Sequence, residues 1–282
     1  MENVYNETVQ ILKKYNIVAN KNLGQNFLID DEVINIIIDG ANIKQDDLVI
    51  EIGPGLGTLT SRLIKKAGKV LAIEIDEKMV NVLKNRFNQV SNLEVLQEDI
   101  LKVELNKKIE ESGLKTAKVV ANLPYYITTP IIMKLLEDNL NLESITVMVQ
   151  KEVADRLTCK PGERNCGAIT YAVYYYSSSE TITKVPKEAF IPSPEVTSEV
   201  IKLNLRKDEI VKVNNKQILF KLVKNSFMQR RKTISNSLMN TGYWENKQDL
   251  IKTLEKLLIN PKARAEELTL EQFASIANEL QK

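Results

Sequence analysis

The sequence predicts a doubly wound, Rossmann-like α/β domain followed by a small all-helical domain. Apolar, strand-like runs alternate with helical segments between residues 48 and 150, as a parallel sheet requires. The first of these runs, residues 49–52, enters a glycine-rich turn of the kind that opens a βαβ unit. After Arg206 the periodicity is helical only, so we expect one domain at 1–207 and a second at 208–282.

The composition indicates an ordinary globular chain without a membrane partner. Its 282 residues, 43% hydrophobic and 27% charged, suffice for one substantial core and a smaller module. Residues 1–5 lack a signal-peptide pattern and no apolar run reaches membrane-spanning length, so we expect a cytoplasmic protein. Because the chain has no histidine, imidazole catalysis and a Cys/His zinc site are excluded. We expect no metal, and reduced thiols at Cys159 and Cys166.

The N-terminal region combines a helix with an amide-rich loop. Residues 5–16 alternate polar and apolar positions at helical spacing and predict an amphipathic helix. Residues 20–30 contain a glycine and several amides, which in isolation are ordinary turn residues. At the end of this loop, Asp30 or Asp31 can cap a helix that continues through Ile38.

The glycine turn at residues 53–57 is the first part of a predicted ligand pocket. Glycine allows a tight turn and lets a ligand approach the main chain. The spacing is G-x-G-x-G and no Gly-Lys-Ser/Thr follows, which disfavours a dinucleotide fingerprint and a Walker phosphate loop. A strand-to-helix turn without any ligand is the alternative, and the segment 59–66 predicts a helix in either case.

Two further strands end in carboxylates at the same predicted edge of the sheet. The run at 69–76 contains Glu74 about 20 residues beyond the loop, where an acid can hold a ribose diol. The run at 93–99 again ends in acids, the last of which is Asp99. A glycine loop and these carboxylates describe a nucleoside pocket, and the loop suits a small zwitterion better than a pyrophosphate. We therefore expect S-adenosylmethionine (SAM) as the cofactor.

The segment 122–125, Asn-Leu-Pro-Tyr, is the most specific motif of the chain. It follows a predicted strand at 118–121, at the edge where open α/β sheets bind ligands. Asn122 can accept a hydrogen bond from an exocyclic amine, Pro124 leaves nearby carbonyls as acceptors, and Tyr125 offers a flat face to a base. These features suit an adenine whose N6 amine is presented to a methyl donor. A turn with a packed tyrosine is the alternative.

The remaining chain continues the alternation and then becomes helical. The Lys-Pro-Gly sequence at 160–162 ends a helix. The alternating run at 196–205 predicts a closing strand, antiparallel and at the sheet edge. The other predicted elements are helices at 130–138, 151–158 and 167–176, strands at 144–150 and 181–185, and second-domain helices at 216–228, 231–239, 248–258 and 271–281.

The second domain contains a stretch with basic residues and no acidic ones. No Asp or Glu occurs from Ile210 to Tyr243, although the net charge of the chain is only +2. Such a stretch on an otherwise balanced chain is a candidate polyanion contact, and a solvated basic helix face is the alternative. The residues expected to make the contact are Lys221, Lys224, Arg230, Arg231 and Lys232.

Five sequence motifs occur in order along the chain. They are Leu-Gly-Gln-Asn-Phe-Leu at 23–28, Glu-Ile-Gly-Pro-Gly-Leu-Gly at 51–57, Asn-Leu-Pro-Tyr at 122–125, Phe-Ile-Pro-Ser-Pro at 190–194 and Arg-Ala-Glu-Glu-Leu-Thr at 264–269. In this order they resemble the motifs of a known family, the ribosomal RNA adenine N6-dimethyltransferases. The last motif is similar to the C-terminal domain of the small-subunit branch of that family, and the resemblance covers essentially the whole chain.

The resemblance implies roles for individual residues. Asn122 is implied to bridge the cofactor and the target base, while Tyr125 and Phe190 sandwich the flipped adenine. Glu74 is implied to hold the ribose hydroxyls of SAM, and Asp99 to read its adenine amine. The residues expected to bind the cofactor are Gln25, Asn26, Leu28, Gly53, Gly55, Glu74, Ile75, Asp99, Ile100 and Asn122, and the basic residues named above are implied to bind RNA.

The resemblance also implies a reaction and a partner. Members of this family methylate two adjacent adenosines, each twice, in the 3′-terminal hairpin of 16S rRNA. We therefore expect a monomer that acts on the small (30S) subunit or its precursor during subunit biogenesis. The alternatives are a 23S rRNA adenine N6-methyltransferase of the macrolide-resistance type, whose C-terminal region lacks an ending like 264–269, and an assembly factor with incidental methylation.

Overall fold

The chain forms two compact units in a computed structural model, which describes residues 3–20, 23–229 and 231–281. The sheet unit comprises Met1–Ala154 and Ser179–Leu205, and the helical unit comprises Asp155–Ser178 and Arg206–Lys282. The sequence-based division at 207/208 differs from these units because residues 155–178 pack with the helical one. No helix in the described part of the chain combines the length and apolarity needed to cross a membrane.

A seven-stranded mixed sheet forms the centre of the sheet unit. Its strand order is β4-β3-β2-β5-β6-β9-β7, and a separate two-stranded antiparallel sheet pairs β1 with β8. The strands are β1 Phe27–Leu28, β2 Asp47–Ile52, β3 Lys69–Glu74, β4 Leu93–Gln97, β5 Thr116–Asn122, β6 Leu142–Gln150, β7 Ser177–Val185, β8 Phe190–Ile191 and β9 Ser198–Leu205.

The sheet has the doubly wound arrangement that the alternation predicts. The strands from β2 to β6 run parallel, and the chain order reverses between β2 and β5. Right-handed crossovers on either side of that reversal place helices on opposite faces of the sheet and open a crevice at the carboxyl ends of the strands. The prediction that β9 lies at the sheet edge is wrong: it is antiparallel to β6, but β7 pairs on its outer side. Five of the eight residues of β9 are buried, as suits a strand that is paired on both sides.

Several helices begin beside a residue whose side chain caps them. Asp30 accepts hydrogen bonds from the N–H groups of Glu32 and Val33, and Asp76 does the same for Lys78. The helices are α1 Val4–Lys14, α2 Asp31–Gly40, α3 Thr60–Lys66, α4 Glu77–Arg86, α5 Leu105–Ser112, α6 Thr128–Glu137, α7 Lys151–Thr158, α8 Ala168–Tyr176, α9 Lys216–Met228, α10 Ile234–Met239, α11 Lys247–Lys256 and α12 Leu270–Glu279.

The helical unit is organised around the buried ring of Tyr171 on α8. This ring packs edge-on against Phe273, with centroids 5.2 Å apart, and lies 5.3 Å from the ring of Phe227. Its hydroxyl donates to the carbonyl of Leu268 at 2.6 Å and lies 3.1 Å from that of Ala265. These contacts explain why α8 belongs with the C-terminal helices, although sequence order places it among the strands.

A buried ion cluster joins β2 and β5 near their amino ends. The ammonium of Lys118 lies 2.8 Å from Asp47 Oδ2 and 3.4 Å from Glu143 Oε1. It also donates to the carbonyl of Asn42 at 2.6 Å. Lys118 and Asp47 are both almost fully buried. A buried charge is costly unless it is paired, so this cluster belongs to the stability of the sheet and not to the crevice.

Candidate active site

The crevice at the carboxyl ends of β2, β3, β4 and β5 contains a cleft. It encloses about 1060 Å³ including its solvent-open mouth, a size suited to a small-molecule ligand. Its walls come from the loop before β1, the glycine turn after β2, the acidic ends of β3 and β4, and the turn after β5. All ten residues that the sequence predicted for the cofactor line this cleft.

The glycine turn presents bare backbone to the cleft. Gly53 and Gly55 have φ values of +65° and +56°, a left-handed conformation that side chains disfavour. A Cβ atom on either glycine would meet its neighbours at ordinary contact distances of 3.5 Å or more, so the backbone conformation and not crowding favours glycine here. The turn is therefore shaped for a ligand that contacts main-chain atoms, which fits the amino-acid part of SAM.

Glu74 at the end of β3 organises the glycine turn as well as facing the cleft. Its Oε2 accepts from the N–H of Gly55 at 3.1 Å, and its Oε1 accepts from those of Ile75 and Asp76, each at 2.9 Å. Burial raises the pKa of Glu74 above its ordinary value. A carboxylate oxygen can accept two hydrogen bonds, so Oε2 retains capacity for a ribose hydroxyl. These backbone contacts could not be read from the sequence.

Glu51 is a site residue to which the sequence interpretation gave no role. It is buried on β2, lines the cleft, and accepts a hydrogen bond from Thr60 Oγ1 at 2.6 Å. Burial, with a smaller contribution from the nearby charge of Glu74, raises the pKa of Glu51 to about 8. The protonated form is therefore dominant at neutral pH. An acid inside an apolar strand directly before the glycine turn was the signal that could have identified it.

Ile75, Asp99 and Ile100 also line the cleft. Ile75 is 53% exposed and Ile100 is buried, so one apolar side chain is available to a planar ligand and the other supports the wall. Asp99 accepts a hydrogen bond from the N–H of Leu101 at 3.0 Å through Oδ1. This contact holds one oxygen of the carboxyl group, and the second oxygen is the one that a ligand amine could meet.

The loop before β1 contributes Gln25, Asn26 and Leu28 to the cleft. Gln25 uses both ends of its amide within the protein: Nε2 donates to Asp76 Oδ2 at 2.8 Å, and Oε1 accepts from the N–H of Asn20 at 2.9 Å. Gln25 therefore fastens this loop to the start of α4. Asn26 Nδ2 donates to the carbonyl of its neighbour Gly24 at 3.1 Å, which leaves the Asn26 side chain held at the cleft wall.

Asn122 and Tyr125 face the same cleft from the end of β5. Asn122 Nδ2 donates to the carbonyl of Asn26 at 3.2 Å. Within the described residues the hydrogen bond of the Asn122 side chain is made through Nδ2, so Oδ1 is available as an acceptor in the cleft. Tyr125 lies in a short 3-10 turn, half-buried, with its hydroxyl 2.7 Å from Ser198 Oγ. Both predicted side chains of the Asn-Leu-Pro-Tyr motif are thus brought to the predicted place.

Phe190 lies outside the cleft wall in this structure, and its stacking role stays a prediction. It is only 3% exposed, pairs with Leu28 between β8 and β1, and packs in the main core beside Val185 and Ala189. It is absent from the cleft wall. Burial of a large apolar ring is strongly favourable, and the sequence could not distinguish this core position from an exposed one. In this structure Tyr125 alone of the predicted aromatic pair lines the cleft.

The predicted RNA-binding residues lie in the helical unit. Lys221, Lys224, Arg231 and Lys232 are exposed, and Lys221 Nζ lies 4.5 Å from the ring centroid of Tyr243. Arg230 lies outside the described residues. Exposure of these cations is compatible with a polyanion contact and with a solvated face alike.

The two cysteines of the chain are close together in the helical unit. Cys159 is half-buried and Cys166 is buried, neither forms a disulfide, and their sulfurs lie 3.7 Å apart. Cys166 Sγ is 2.9 Å from the carbonyl oxygen of Lys160. Burial raises the pKa of the Cys166 thiol to about 12, so this group is a neutral thiol at physiological pH.

Comparisons with known proteins extend over nearly the whole chain. A family model described as ribosomal RNA adenine dimethylase matches residues 16–282. The ribosomal RNA small subunit methyltransferase A of Lachnoclostridium phytofermentans is 46% identical over 275 residues, which are 96% of this chain and 95% of that protein.

Two solved structures are similar as well. A dimethyladenosine transferase from Plasmodium falciparum shares 27% identity at a TM-score of 0.75, covering 90% of this chain and 97% of that one. The 23S rRNA methyltransferase ErmE shares 25% identity at a TM-score of 0.68, covering 91% and 100%.

Proposed function

We propose, from the premise that the chain belongs to the ribosomal RNA adenine dimethylase family, that it dimethylates the N6 amines of two adjacent adenosines in the 3′-terminal hairpin of 16S rRNA. The enzyme is a SAM-dependent methyltransferase. One observation carries the assignment to the site: Asn122 and Tyr125 face the cleft that also contains the glycine turn. A base-binding pair and a cofactor loop therefore share one cavity.

The residues of the cleft fit SAM. The bare backbone at Gly53 and Gly55 suits its amino-acid part, Glu74 retains an acceptor for the ribose, and Ile75 with Asp99 suits its adenine. When bound, SAM supplies an electrophilic methyl group on a sulfonium that leaves as a neutral thioether. A neutral leaving group needs neither a metal nor an acid, which suits a chain without histidine.

Asn122 prepares the adenine amine for attack. The N6 lone pair is delocalised into the ring, so the planar amine is a poor nucleophile. Because Nδ2 of Asn122 is committed to the carbonyl of Asn26, the amide orientation is fixed and Oδ1 is the atom that meets the amine. Acceptance by Oδ1 and a neighbouring backbone carbonyl favours a tetrahedral nitrogen and stabilises the positive charge that develops there as the N–C bond forms and the S–C bond breaks. The methylated nitrogen then loses one proton to water.

Tyr125 holds the base once it has left its stack. Flipping a base out of its stack costs a few kcal/mol. Stacking of the flipped base on the Tyr125 ring contributes about 1–3 kcal/mol and offsets part of this cost. The ring face also stabilises nearby positive charge by about 0.5–2 kcal/mol. A flexible hairpin adenine enters such a pocket more readily than a paired one.

The small ribosomal subunit is the partner that the relatives support best. The small-subunit methyltransferase is 46% identical to this chain, whereas the 23S rRNA methyltransferase structure shares 25%. We further propose that the protein acts as a monomer in the cytoplasm, where subunits assemble, and that its exposed basic residues bind RNA. Methylation as an incidental activity of an assembly factor is the remaining alternative.

The test uses labelled SAM with two substrates, small subunits that lack the adenine marks and protein-free large-subunit RNA. Mass spectrometry of the nucleosides then locates the label. Dimethyladenosine confined to the small-subunit hairpin is the expected result. Label in the large-subunit RNA would instead assign the chain to the 23S rRNA adenine N6-methyltransferases. No label in either, with SAM and subunits both bound, would favour the assembly factor.

A further inference from the structure

The hydroxyl group of Tyr125 is anchored in the sheet. Its oxygen lies 2.7 Å from Oγ of Ser198, the first residue of β9, which is the ordinary length of an O–H···O hydrogen bond. The sequence interpretation gave Ser198 no role. No SAM-contacting or base-contacting role follows from its position either, because Ser198 is fully buried and absent from the cleft wall.

This contact crosses a strand. Tyr125 follows β5, whose last residue Asn122 pairs with Met148 on β6, while Ser198 pairs with Gln150 on the other side of β6. Two strand spacings amount to about 10 Å, so the tyrosine side chain reaches from its turn over the end of β6 to the start of β9. The hydroxyl of Tyr125 is therefore hydrogen-bonded to β9, whereas its main chain follows β5.

The main chain at Tyr125 is held by a separate contact. The hydroxyl of Thr128 donates to the carbonyl of Pro124 at 3.0 Å, which closes the turn that carries Tyr125. Burial raises the pKa of Tyr125, so the phenol stays protonated and keeps its hydrogen bond at neutral pH. Because the main chain and the hydroxyl of Tyr125 are both held, the contact with Ser198 determines the orientation of the ring face in the cleft.

We propose that Ser198 is a positioning residue for methyl transfer: its hydroxyl fixes the ring plane of Tyr125 against the target adenine. This inference rests on the proposed function and names a residue on which its geometry depends. If the ring can tilt, the amine of the stacked base moves out of line with the methyl–sulfur bond of SAM. Transfer rates fall steeply when reacting atoms are misplaced. Ser198 acts only through Tyr125, so the two substitutions Ser198→Ala and Tyr125→Phe should remove one and the same interaction.

A double-mutant cycle tests the proposal. kcat and KM are measured with unmarked small subunits and SAM for the wild type, Ser198→Ala, Tyr125→Phe and the double variant. We expect each single substitution to lower kcat about 10-fold while the KM for SAM stays within about 2-fold, and the double variant to be no slower than either single one. Ser198→Thr, which retains the hydroxyl, should recover most of the kcat that Ser198→Ala loses.

Ser144→Ala is the matched control. Ser144 is a buried serine of the neighbouring strand β6, and its hydroxyl has no hydrogen-bond partner in the described part of the chain. It should have the kcat of the wild type. The proposal fails if Ser198→Ala lowers kcat by the same factor in the wild type and in the Tyr125→Phe variant, because Ser198 then has a merely structural role. An unaltered kcat in Ser198→Ala overturns it too, whereas a wild type that methylates no RNA overturns the proposed function with it.

Discussion

Asn122 is the residue on which the chemistry depends most directly. In the proposed mechanism its Oδ1 accepts from the adenine amine, and neither Leu123 nor Pro124 has a side-chain acceptor that could replace it. We expect Asn122→Ala to lower the rate of methyl transfer about 100-fold or more, in the range found when a single stabilising polar group is removed from an active site. Transfer is measured by label incorporation into unmarked small subunits.

The controls for Asn122→Ala separate chemistry from folding and binding. SAM affinity by calorimetry should fall only slightly, because Gly53, Gly55 and Glu74 are unchanged. Asn81→Ala, on the exposed side of α4, makes the same change away from the cleft and should have wild-type activity. Near-normal turnover by folded Asn122→Ala protein would remove the motif from the mechanism.

Glu51 makes stability depend on pH. Its pKa is about 8 in the folded chain against an ordinary value of 4.5, so folding binds an extra proton between these pH values. The stability that this proton contributes is fully present below pH 4.5 and is lost as pH rises through 8. Glu51→Gln mimics the protonated form and should remove this decline, which is on the order of a few kcal/mol.

Urea unfolding at pH 5.5 and at pH 8.5 measures the effect. Glu110→Gln, on the exposed face of α5, is the control and should follow the wild-type decline. Parallel pH profiles for Glu51→Gln and the wild type would show that Glu51 titrates normally in the folded chain.

The site was predictable from sequence to the extent that it depends on strand ends. Glycines, acids and the Asn-Leu-Pro-Tyr segment follow strands, and strand ends of a parallel sheet meet at one edge, so the cleft followed from the alternation. Three-dimensional packing decided the rest. Burial of Phe190, the backbone contacts of Glu74 and the contact of Tyr125 with Ser198, 73 positions away, leave no local signature in the sequence.

At the scale of elements, regular periodicity was read correctly and short or nonlocal pairing was not. Helices and strands longer than five residues carry enough positions to show a period. The two-residue strands β1 and β8 carry too few, and their pairing was missed. The position of β9 inside the sheet depends on which strand pairs on its outer side, and the period of one strand does not contain that information.

The ion cluster between β2 and β5 allows a stability prediction for these elements. Lys118→Met leaves the carboxylate of Asp47 buried without its partner, and breaking a buried pair in this way costs about 3–5 kcal/mol. Denaturant unfolding measures the decrease in stability. The second substitution Asp47→Asn removes the orphaned charge and should recover most of it.

Lys115→Met serves as the control for this cluster. Lys115 is an exposed lysine directly before β5, and its substitution should change stability by less than about 0.5 kcal/mol. A decrease in Lys118→Met no larger than in Lys115→Met would mean that the buried pair contributes nothing to the sheet.

At the scale of the whole molecule, the distribution of charge matters more than its sum. The net charge is +2, yet residues 210–243 of the helical unit contain seven Lys or Arg and no acid. Cations that contact phosphates release counterions on binding, and the affinity then depends steeply on salt. A basic face that is merely solvated has no such dependence, so the two interpretations of this stretch differ in a measurable quantity.

Charge reversal at two of these positions tests the RNA contact. We expect Lys224→Glu with Arg231→Glu to weaken RNA binding and to reduce the slope of log affinity against log salt by about 2, one for each cation that no longer meets a phosphate. SAM affinity should be unchanged, because both residues lie in the helical unit and the cofactor cleft lies in the sheet unit. Lys84→Glu with Lys107→Glu makes the same charge change at exposed positions of α4 and α5. If that control flattens the salt slope equally, net charge and not the basic stretch determines RNA affinity.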